Sequence, residues 1–368
     1  MDTAVVLVAI EGGPCAGKTE IKNKLVKRLW TDCDILAFAT PEAATETMQM
    51  GFDPTKNTVV AEQFQKLLLR RMRDNESYCT LLAKSYIPSR PLVVIFCDRG
   101  IPGISGYIGS EKYHALLAEH WLCPISMRDS QYHCVLHLRT TAYGAEEHYS
   151  NANNDKRVES ICEARARDDE TILAWLGHPK MRIIPNRPKK TWEDKCDEVW
   201  RALLHMLGIP EPLEIERKFL VDSSKLDLSQ LPVHSTPVRV EQRYLTDGSR
   251  IRRRGIHGRW AYTKTRKSRH PGSGVAKEKE RAISLKKFTS LLADHDPRTQ
   301  PLCKMRHYFI WEDQVFELDV FDKPEGLVLL ELELIDEHDC IILPPFIPII
   351  RDVTDEKEYK NHRISKNI

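Results

Sequence analysis

Residues 4–19, AVVLVAIEGGPCAGKT, decide the fold of the first half of the chain. Residues 4–10 are continuously apolar, which is typical of a strand buried on both faces of a parallel sheet. The loop that follows fits the pattern G-x-x-x-x-G-K-[ST], and apolar residues then return at helical spacing. A strand, a glycine-rich loop and a helix in this order predict a phosphate-binding loop. Its predicted nucleotide-binding residues are Gly12, Gly13, Pro14, Cys15, Ala16, Gly17, Lys18 and Thr19.

This loop also predicts how a metal–nucleotide complex would be held. Lys18 would reach the β and γ phosphates, and the Thr19 hydroxyl would coordinate Mg²⁺. Asp98 ends an apolar strand, where a carboxylate faces a nucleotide at the carboxyl edge of the sheet. We therefore predict Thr19 and Asp98 as metal ligands. Arg99 has two equally supported roles, which are contact with the transferred phosphoryl group and an ion pair on the surface.

Three residues outside the loop complete the predicted nucleotide site. Glu42 follows the second predicted strand, where a carboxylate acts as general base in nucleoside-kinase-like folds, but it would equally suit the first turn of a helix. Arg157 begins a predicted lid helix and is the candidate to close on the triphosphate. Asn186 follows the fifth predicted strand and only partly matches a guanine-recognition box. The choice between GTP and ATP therefore stays open.

Apolar strands and amphipathic helices alternate as far as residue 207. This alternation predicts an α/β P-loop domain over residues 1–207, with a parallel sheet covered by helices on both faces. Further strands are predicted at residues 35–39, 92–97, 134–138 and 181–184, and helices at residues 61–73, 158–176 and 192–207. Residues 208–212 contain Pro210 and Pro212 and are predicted to form a short, stiff linker.

From residue 213 to the end, the hydrophobic period changes to two, which predicts an α+β domain with an antiparallel sheet or closed barrel. Eight strands are predicted, at residues 213–221, 238–245, 250–254, 260–264, 277–283, 304–311, 314–321 and 327–334. Several of these strands carry charges on one face and apolar residues on the other. Because buried charges need partners, a metal or a charged ligand, the repeated pattern predicts a charged lumen.

Composition restricts the function classes. The 368 residues contain 55 Lys and Arg against 53 Asp and Glu, a net charge of +2, so we expect no nucleic-acid partner. The longest apolar run, residues 341–350, is too short to span a bilayer, and the N-terminus lacks the basic start of a signal peptide. Ten scattered cysteines suit reduced thiols, so we expect a cytoplasmic protein.

The motifs of the first domain resemble those of the AAA-type P-loop domain of ribosylnicotinamide kinases and the TRPL translocation defect protein family. The resemblance covers residues 1–207 and rests on the loop itself together with a few short segments. These are Pro41–Glu42, Asp98–Arg99, Asn154 to Glu159, Ala174 to Pro179 and Asn186.

The second domain resembles the CYTH domain, the triphosphate tunnel family of adenylyl cyclases and of thiamine or inorganic triphosphatases. The resemblance rests on E-x-E-x-K at Glu214, R-x-R at Arg250 and the later charged strands. It implies a CYTH-type β-barrel tunnel in which acids bind divalent metal and bases bind phosphate. The implied metal ligands are Glu214, Glu216, Asp319, Glu331 and Glu333. The implied phosphate-binding residues are Lys218, Arg250, Arg252, Lys264, Lys304 and Arg306.

Together the two resemblances match the architecture of the TRPL translocation defect protein family. This implies a regulatory protein that binds a nucleotide (GTP by the resemblance) and a phosphoinositide headgroup, and that acts in trafficking of membrane proteins. Peripheral contact with anionic membranes would fit basic clusters at residues 70–73 and 266–270, although solvated loops explain them as well. Two alternatives stay open, which are a Mg²⁺- or Mn²⁺-dependent triphosphatase in the tunnel and a small-molecule kinase with Glu42 as base. The sequence does not identify a protein partner.

Overall fold

The structure, a computed structural model, describes residues 4–52, 58–86, 92–149, 160–209, 215–269 and 276–367. The chain forms two compact units, Met1–Trp200 and Arg201–Ile368. The boundary between them falls inside the helix Trp192–Leu207, the same helix that ends the predicted first domain.

The first unit is built on a five-stranded parallel sheet. Its strands are β1 (Ala4–Glu11), β2 (Leu36–Ala39), β3 (Leu92–Asp98), β4 (Cys134–Leu138) and β5 (Met181–Ile184). Their order in the sheet is β2-β3-β1-β4-β5, so β1 lies in the centre with β3 and β4 on either side. Most apolar residues of β1, β3 and β4 are buried, which confirms the expectation of an internal parallel sheet.

Helices connect these strands, and four of those in the described ranges lie where the apolar spacing predicted. They are α1 (Lys18–Cys33), α2 (Ala43–Gln49), α3 (Thr58–Ser85), α4 (Ser105–Ile108), α5 (Ser110–Glu119), α6 (Pro124–Asp129), α7 (Ile161–Trp175) and α8 (Trp192–Leu207). Short 3₁₀ turns lie at Ile101–Ile104 and Glu146–His148. Helix α3 continues twelve residues beyond the predicted end at residue 73. Its buried stripe there contains Glu76, which is bonded to the Tyr132 hydroxyl, and this polar residue hid the helical pattern.

The second unit contains a nine-stranded antiparallel sheet. Its strands are β6 (Ile215–Val221), β7 (Ser235–Tyr244), β8 (Arg250–Ile256), β9 (Arg259–Arg269), β10 (Ala276–Ala282), β11 (Leu302–Trp311), β12 (Gln314–Phe321), β13 (Val328–Leu334) and β14 (Ile349–Asp352). It also contains the helices α9 (Leu285–Leu291) and α10 (Asn361–Asn367), with 3₁₀ turns at Leu228–Gln230, Leu292–Asp294 and Lys357–Tyr359.

The order of this sheet is β10-β9-β8-β7-β11-β12-β13-β6-β14. Among the described residues its outermost strands, β10 and β14, do not pair with each other, so the sheet is open where a closed barrel was expected. Strand β14 was not predicted, and it occupies the edge of β6 that closure would have used. The predicted fold class, an α/β P-loop unit followed by a unit with an antiparallel sheet, is otherwise confirmed.

The two faces of the second sheet differ in chemistry. One face forms an apolar core that includes Phe219, Phe309, Phe316, Leu318 and Leu330. The opposite face carries the alternating charges of β6, β8, β11, β12 and β13, and we call it the charged face. The period-two alternation in the sequence thus placed the acidic and basic residues together.

Candidate phosphate-binding sites

The loop between β1 and α1 has the backbone of a phosphate cradle. Gly12 and Gly17 adopt φ angles of 142° and 82°, and Cys15 adopts 57°, so the chain turns sharply before α1 begins. The Lys18 ammonium donates hydrogen bonds to the carbonyl oxygens of Gly12 at 2.7 Å and Gly13 at 2.8 Å. Burial, with the charge of Arg99, lowers its pKa. The Lys18 side chain is therefore held over the loop, where phosphate oxygens would lie.

A buried carboxylate fixes the start of this loop. The Gly13 N–H donates to Asp168 Oδ1 at 2.6 Å, and a Cβ at Gly13 would come within 2.9 Å of the Asp168 Cβ. His137 Nε2 lies 3.1 Å from the same oxygen, and Arg139 donates to Asp168 Oδ2 at 3.0 Å. Although burial opposes ionisation, the charges of His137 and Arg139 hold the pKa of Asp168 well below its ordinary range.

Sequence reasoning missed Asp168, because the acids and bases around it looked like a solvated helix face. Its position in the helical pattern of the sequence could have identified it. Ala164, Asp168, Thr171 and Trp175 follow helical spacing, and all four are buried. A carboxylate within a buried stripe requires a partner, and here the partner is the phosphate loop.

Replacing Asp168 by asparagine is expected to lower the stability of the first unit by about 2–3 kcal/mol at neutral pH, because charge-assisted hydrogen bonds are lost. The native pKa is depressed, so the stabilisation is complete above the unfolded pKa of about 4 and is lost as the pH falls below it. Thermal unfolding from pH 7 to pH 3 should therefore show the wild type approaching the variant at acidic pH. Asp169→Asn, at a neighbouring, more exposed acid, is the control. A constant difference across this range would contradict the ionic role.

The predicted metal ligands Thr19 and Asp98 suit Mg²⁺ by their donor chemistry. Asp98 Oδ2 accepts a hydrogen bond from Lys22 Nζ at 2.6 Å, in a buried pair. Its Oδ1 has no partner among the described residues, and the Thr19 side chain is exposed. A carboxylate oxygen and a hydroxyl are therefore available to complete a metal shell with phosphate oxygens.

One cleft brings together Glu42, Asp98 and Arg99. Gln65 and Tyr107 also line it, and Leu68, Met72 and Ile104 form an apolar part of its wall. The Arg99 guanidinium lies 4.5 Å from the centre of the Tyr107 ring and has no ion pair within the described ranges. Burial opposes its charge, but Tyr107, Glu11 and the other nearby acids raise its pKa. Of the two roles weighed for Arg99, this position favours contact with a ligand.

Glu42 immediately precedes α2, and its Oε2 accepts a hydrogen bond from the Thr45 hydroxyl at 2.7 Å. Both roles predicted for Glu42 fit this position, because it starts the helix and also lines the cleft. Behind the cleft, the buried Glu11, a residue not predicted, accepts from the Gly100 N–H at 2.7 Å. Burial raises the pKa of Glu11. This bond ties the end of β1 to the turn that carries Arg99.

Two predicted nucleotide-binding residues lie outside the phosphate loop, Asn186 and Arg157. The Asn186 amide donates to the carbonyl oxygens of Thr140 and Tyr143, both at 2.8 Å. Its Oδ1 accepts from Lys195 Nζ at 2.7 Å. The amide nitrogen of Asn186 thus holds the segment after β4 and its oxygen accepts from a lysine of α8, so a contact with a base would have to replace these bonds. Arg157 lies outside the described residues.

The charged face of the second unit gathers basic and acidic side chains into a buried cluster. Arg306 donates to both carboxylate oxygens of Asp319 at 2.6 Å and to Glu331 at 2.7 Å. It also pairs with Glu317, and Lys304 pairs with Asp319. Lys218 pairs with Glu331 and lies 3.0 Å from Glu216. Strands β6, β11, β12 and β13 all contribute, so the fold itself assembles the cluster.

The charges of this cluster strongly affect one another's pKa values. Burial opposes the charge of Glu331, but Lys218, Lys304 and Arg306 hold its pKa well below the ordinary value. Burial raises the pKa of Glu317 and lowers the pKa of Lys304, whose side chain is almost inaccessible. The three bases thus support the charge of Glu331, and removing a partner from this buried cluster costs free energy.

Strand β8 places Arg250 and Arg252 on the charged face, as predicted. Arg254, not included in the predicted set, lies on the same face and donates to the Tyr308 hydroxyl at 2.9 Å. Lys264 lies on the opposite face, because the register pairs it with Ile251, and its ammonium is 3.0 Å from Asp247. The structure therefore does not bring Lys264 to the other predicted phosphate-binding residues. The pairing of β9 with β8 decides which face Lys264 occupies, and the sequence pattern alone did not show that pairing.

The predicted tunnel metal ligands are only partly assembled. Asp319 and Glu331 are buried in the cluster, Glu216 is half-buried, Glu333 is exposed, and Glu214 lies outside the described residues. Across the described ranges, no three Asp, Glu, His or Cys side chains are arranged to hold a metal ion. The acids contact bases instead, so any metal there would need phosphate oxygens as further ligands.

The first unit is thus a P-loop nucleotide-binding fold. Residues 7–195, just over half of the chain, match a protein family described as "AAA domain", and the chain belongs to that family. No curated protein matches the chain. Within the described ranges, none of the helices has the length and apolarity needed to cross a bilayer.

Several solved structures are similar to the chain. "The hypothetical protein NE1496" is 32% identical, with 42% of this chain and 99% of that chain covered and a TM-score of 0.30. "The inorganic triphosphatase NE1496" is 30% identical, with 42% and 95% covered and a TM-score of 0.29. The PH1819 protein from Pyrococcus horikoshii OT3 is 19% identical, with 34% and 80% covered and a TM-score of 0.27.

Proposed function

We propose that the first unit binds a nucleoside triphosphate with Mg²⁺. The observation that carries this proposal is the Lys18 ammonium, held by two carbonyl oxygens inside the glycine-rich loop. A γ phosphate would offer this ammonium a stronger, charge-assisted partner. Thr19 and the open oxygen of Asp98 supply ligands for the metal. ATP and GTP both fit these contacts.

We further propose that the charged face of the second unit binds a polyphosphate together with a divalent metal. A polyphosphate alone would take Lys218, Lys304 and Arg306 from their carboxylate partners and leave buried acids unpaired. A metal ion that arrives with the phosphate would satisfy those acids, because carboxylate and phosphate oxygens are its preferred ligands. Exchange of partners in this way keeps every buried charge compensated.

This second site supports a metal-dependent triphosphatase as a candidate activity. Water would attack a terminal phosphorus and lose a proton to solvent, the bridging P–O bond would break, and the basic residues would hold the departing diphosphate. It is also the activity named for the 30%-identical protein. The proposal rests on the buried cluster and not on that similarity.

The cleft beside the phosphate loop supports a small-molecule kinase as a second candidate. Glu42 would accept the proton of an acceptor hydroxyl, whose oxygen would attack the γ phosphorus as the bond to the β–γ bridging oxygen breaks. Arg99 would compensate charge on the transferred group. The nucleoside diphosphate would leave with its metal.

The resemblance to the TRPL translocation defect protein family adds a regulatory proposal. In it, GTP is the nucleotide, a phosphoinositide headgroup occupies the charged face, and the protein acts in membrane-protein trafficking at the cytoplasmic surface of membranes. The basic residues that would bind a polyphosphate would equally bind the clustered phosphates of such a headgroup. This role requires no phosphate release.

Phosphate release tests these proposals directly. Inorganic triphosphate, ATP and GTP would each be incubated with the full chain in Mg²⁺, Mn²⁺ or chelator. We expect metal-dependent release from inorganic triphosphate, lowered at least about tenfold in Glu216→Gln and unaffected in Lys18→Ala. Glu325→Gln, at an exposed acid of the second unit, is the matched control.

Absence of release from all three compounds, with either metal, would contradict the triphosphatase and leave binding as the role of the charged face. Release that disappears in Lys18→Ala would instead assign the activity to the first unit.

A further inference from the structure

Trp192, the first residue of α8, packs against the phosphate loop. A Cβ added to Gly17 would overlap its six-membered ring, so the indole can lie here only because residue 17 is a glycine. The positive φ angle of Gly17 also favours glycine. The indole Nε1 donates to Glu20 Oε1 at 2.6 Å, and the Lys24 ammonium lies 5.8 Å from a ring centroid. The side chain is only half-buried.

The start of α8 is well anchored. The backbone N–H and the hydroxyl of Thr191 donate to Asp194 Oδ2 at 2.7 and 2.8 Å, and the Asp194 N–H donates back to Thr191 at 3.2 Å. Cys196 and Val199 are buried below. Together with the bond to Glu20, these contacts fix the indole at the first turn of α1.

The charges of the site indicate which way a nucleotide would extend. Asp98, a predicted metal ligand, lines the cleft together with Glu42 and Arg99, so the γ phosphate and its metal would lie at that cleft. The α phosphate and the nucleoside would then extend away from that cleft. Glu20 and Trp192 are not among the residues that line the cleft, and the indole contacts the loop at Gly17.

We propose that Trp192 is the surface on which the base of the bound nucleotide stacks. An indole face stacks on any purine or pyrimidine, and it needs no edge-specific hydrogen bond. This agrees with Asn186, whose polar groups are already bonded within the protein. The proposal rests on nucleotide binding by the first unit and adds that the base is held by its aromatic face.

The test compares ligands with and without a base. ATP, GTP and ribose 5′-triphosphate would be titrated calorimetrically into the full chain, with loss in Lys18→Ala defining the binding at the phosphate loop. For Trp192→Ala we expect about 5- to 100-fold weaker loop binding of ATP and GTP, and less than about a twofold change for ribose 5′-triphosphate. Trp192→Phe should keep most of the affinity, because a ring remains. Trp121→Ala, at a tryptophan that is 96% exposed, is the matched control.

Three outcomes would overturn or separate the proposals. Unchanged nucleotide affinity in Trp192→Ala would remove the base contact, and equal weakening of ribose 5′-triphosphate would make Trp192 a structural residue. Should Trp192→Ala fail to fold, quenching of tryptophan emission by ATP replaces this measurement. Stacking of the base on Trp192 requires weaker quenching in Trp192→Phe than in the wild type, and equal quenching would overturn the proposal. Absence of Lys18-dependent binding in the wild type would instead refute nucleotide binding itself.

Discussion

Replacing Lys18 by alanine is expected to weaken nucleoside-triphosphate binding at the phosphate loop by at least about 100-fold, close to 3 kcal/mol. The ammonium sits between the Gly12 and Gly13 carbonyl oxygens, and no other described lysine donates to the loop backbone. Its removal should leave the β and γ phosphates without their main positive partner. Calorimetric titration with ATP and GTP in Mg²⁺ measures the change.

Lys27→Ala is the control for this variant, because Lys27 is an exposed lysine of the same helix. It should bind both nucleotides as the wild type does. Equal affinity in wild type and Lys18→Ala, for ATP as well as GTP, would refute the phosphate-loop function.

Asp319→Asn is expected to destabilise the second sheet by about 3–5 kcal/mol, since it leaves buried bases without their counter-charge. Asp319 is fully buried and pairs with Lys304 and with the Nε and one terminal nitrogen of Arg306. Hydrogen exchange of peptides from β11 and β12 measures the loss in this unit alone. Inorganic triphosphate should restore part of the protection, because ligand binding stabilises the folded state by mass action.

The matched control is Asp322→Asn, which removes a carboxylate from an exposed pair with Arg239. A surface pair contributes about 1 kcal/mol or less, so exchange should change little. Similar losses in both variants would show that burial does not distinguish the cluster.

Local pattern was sufficient for much of the fold. Continuous apolar runs predicted β1, β3 and β4, and alternation predicted most strands of the second unit. The segment at residues 341–350 was read as a proline-broken run, yet its end forms β14, because hydrogen bonds from β6 compensate for what the local sequence lacks. Pairing with a distant strand has no local signal.

The same distinction applies to the candidate sites, where local pattern predicted some residues and not others. Lys18 and the Asp319–Glu331 cluster follow from motif and alternation, because spacing alone sets which face a side chain occupies. Lys264 could not be placed, because its face depends on the register of β9 with β8. Glu11 and Asp168 were missed, since a single buried acid is identified only by partners that are distant in the sequence.

The bond between Asp168 and Gly13 joins two segments that are 155 residues apart in the sequence. Its consequence is mechanical: helix α7 and the phosphate loop share one carboxylate, so neither can shift by more than a fraction of an ångström without stretching that bond. Any force that moves α7 would reshape the backbone that meets the phosphates, and any rearrangement of that backbone would pull on the middle of the helix.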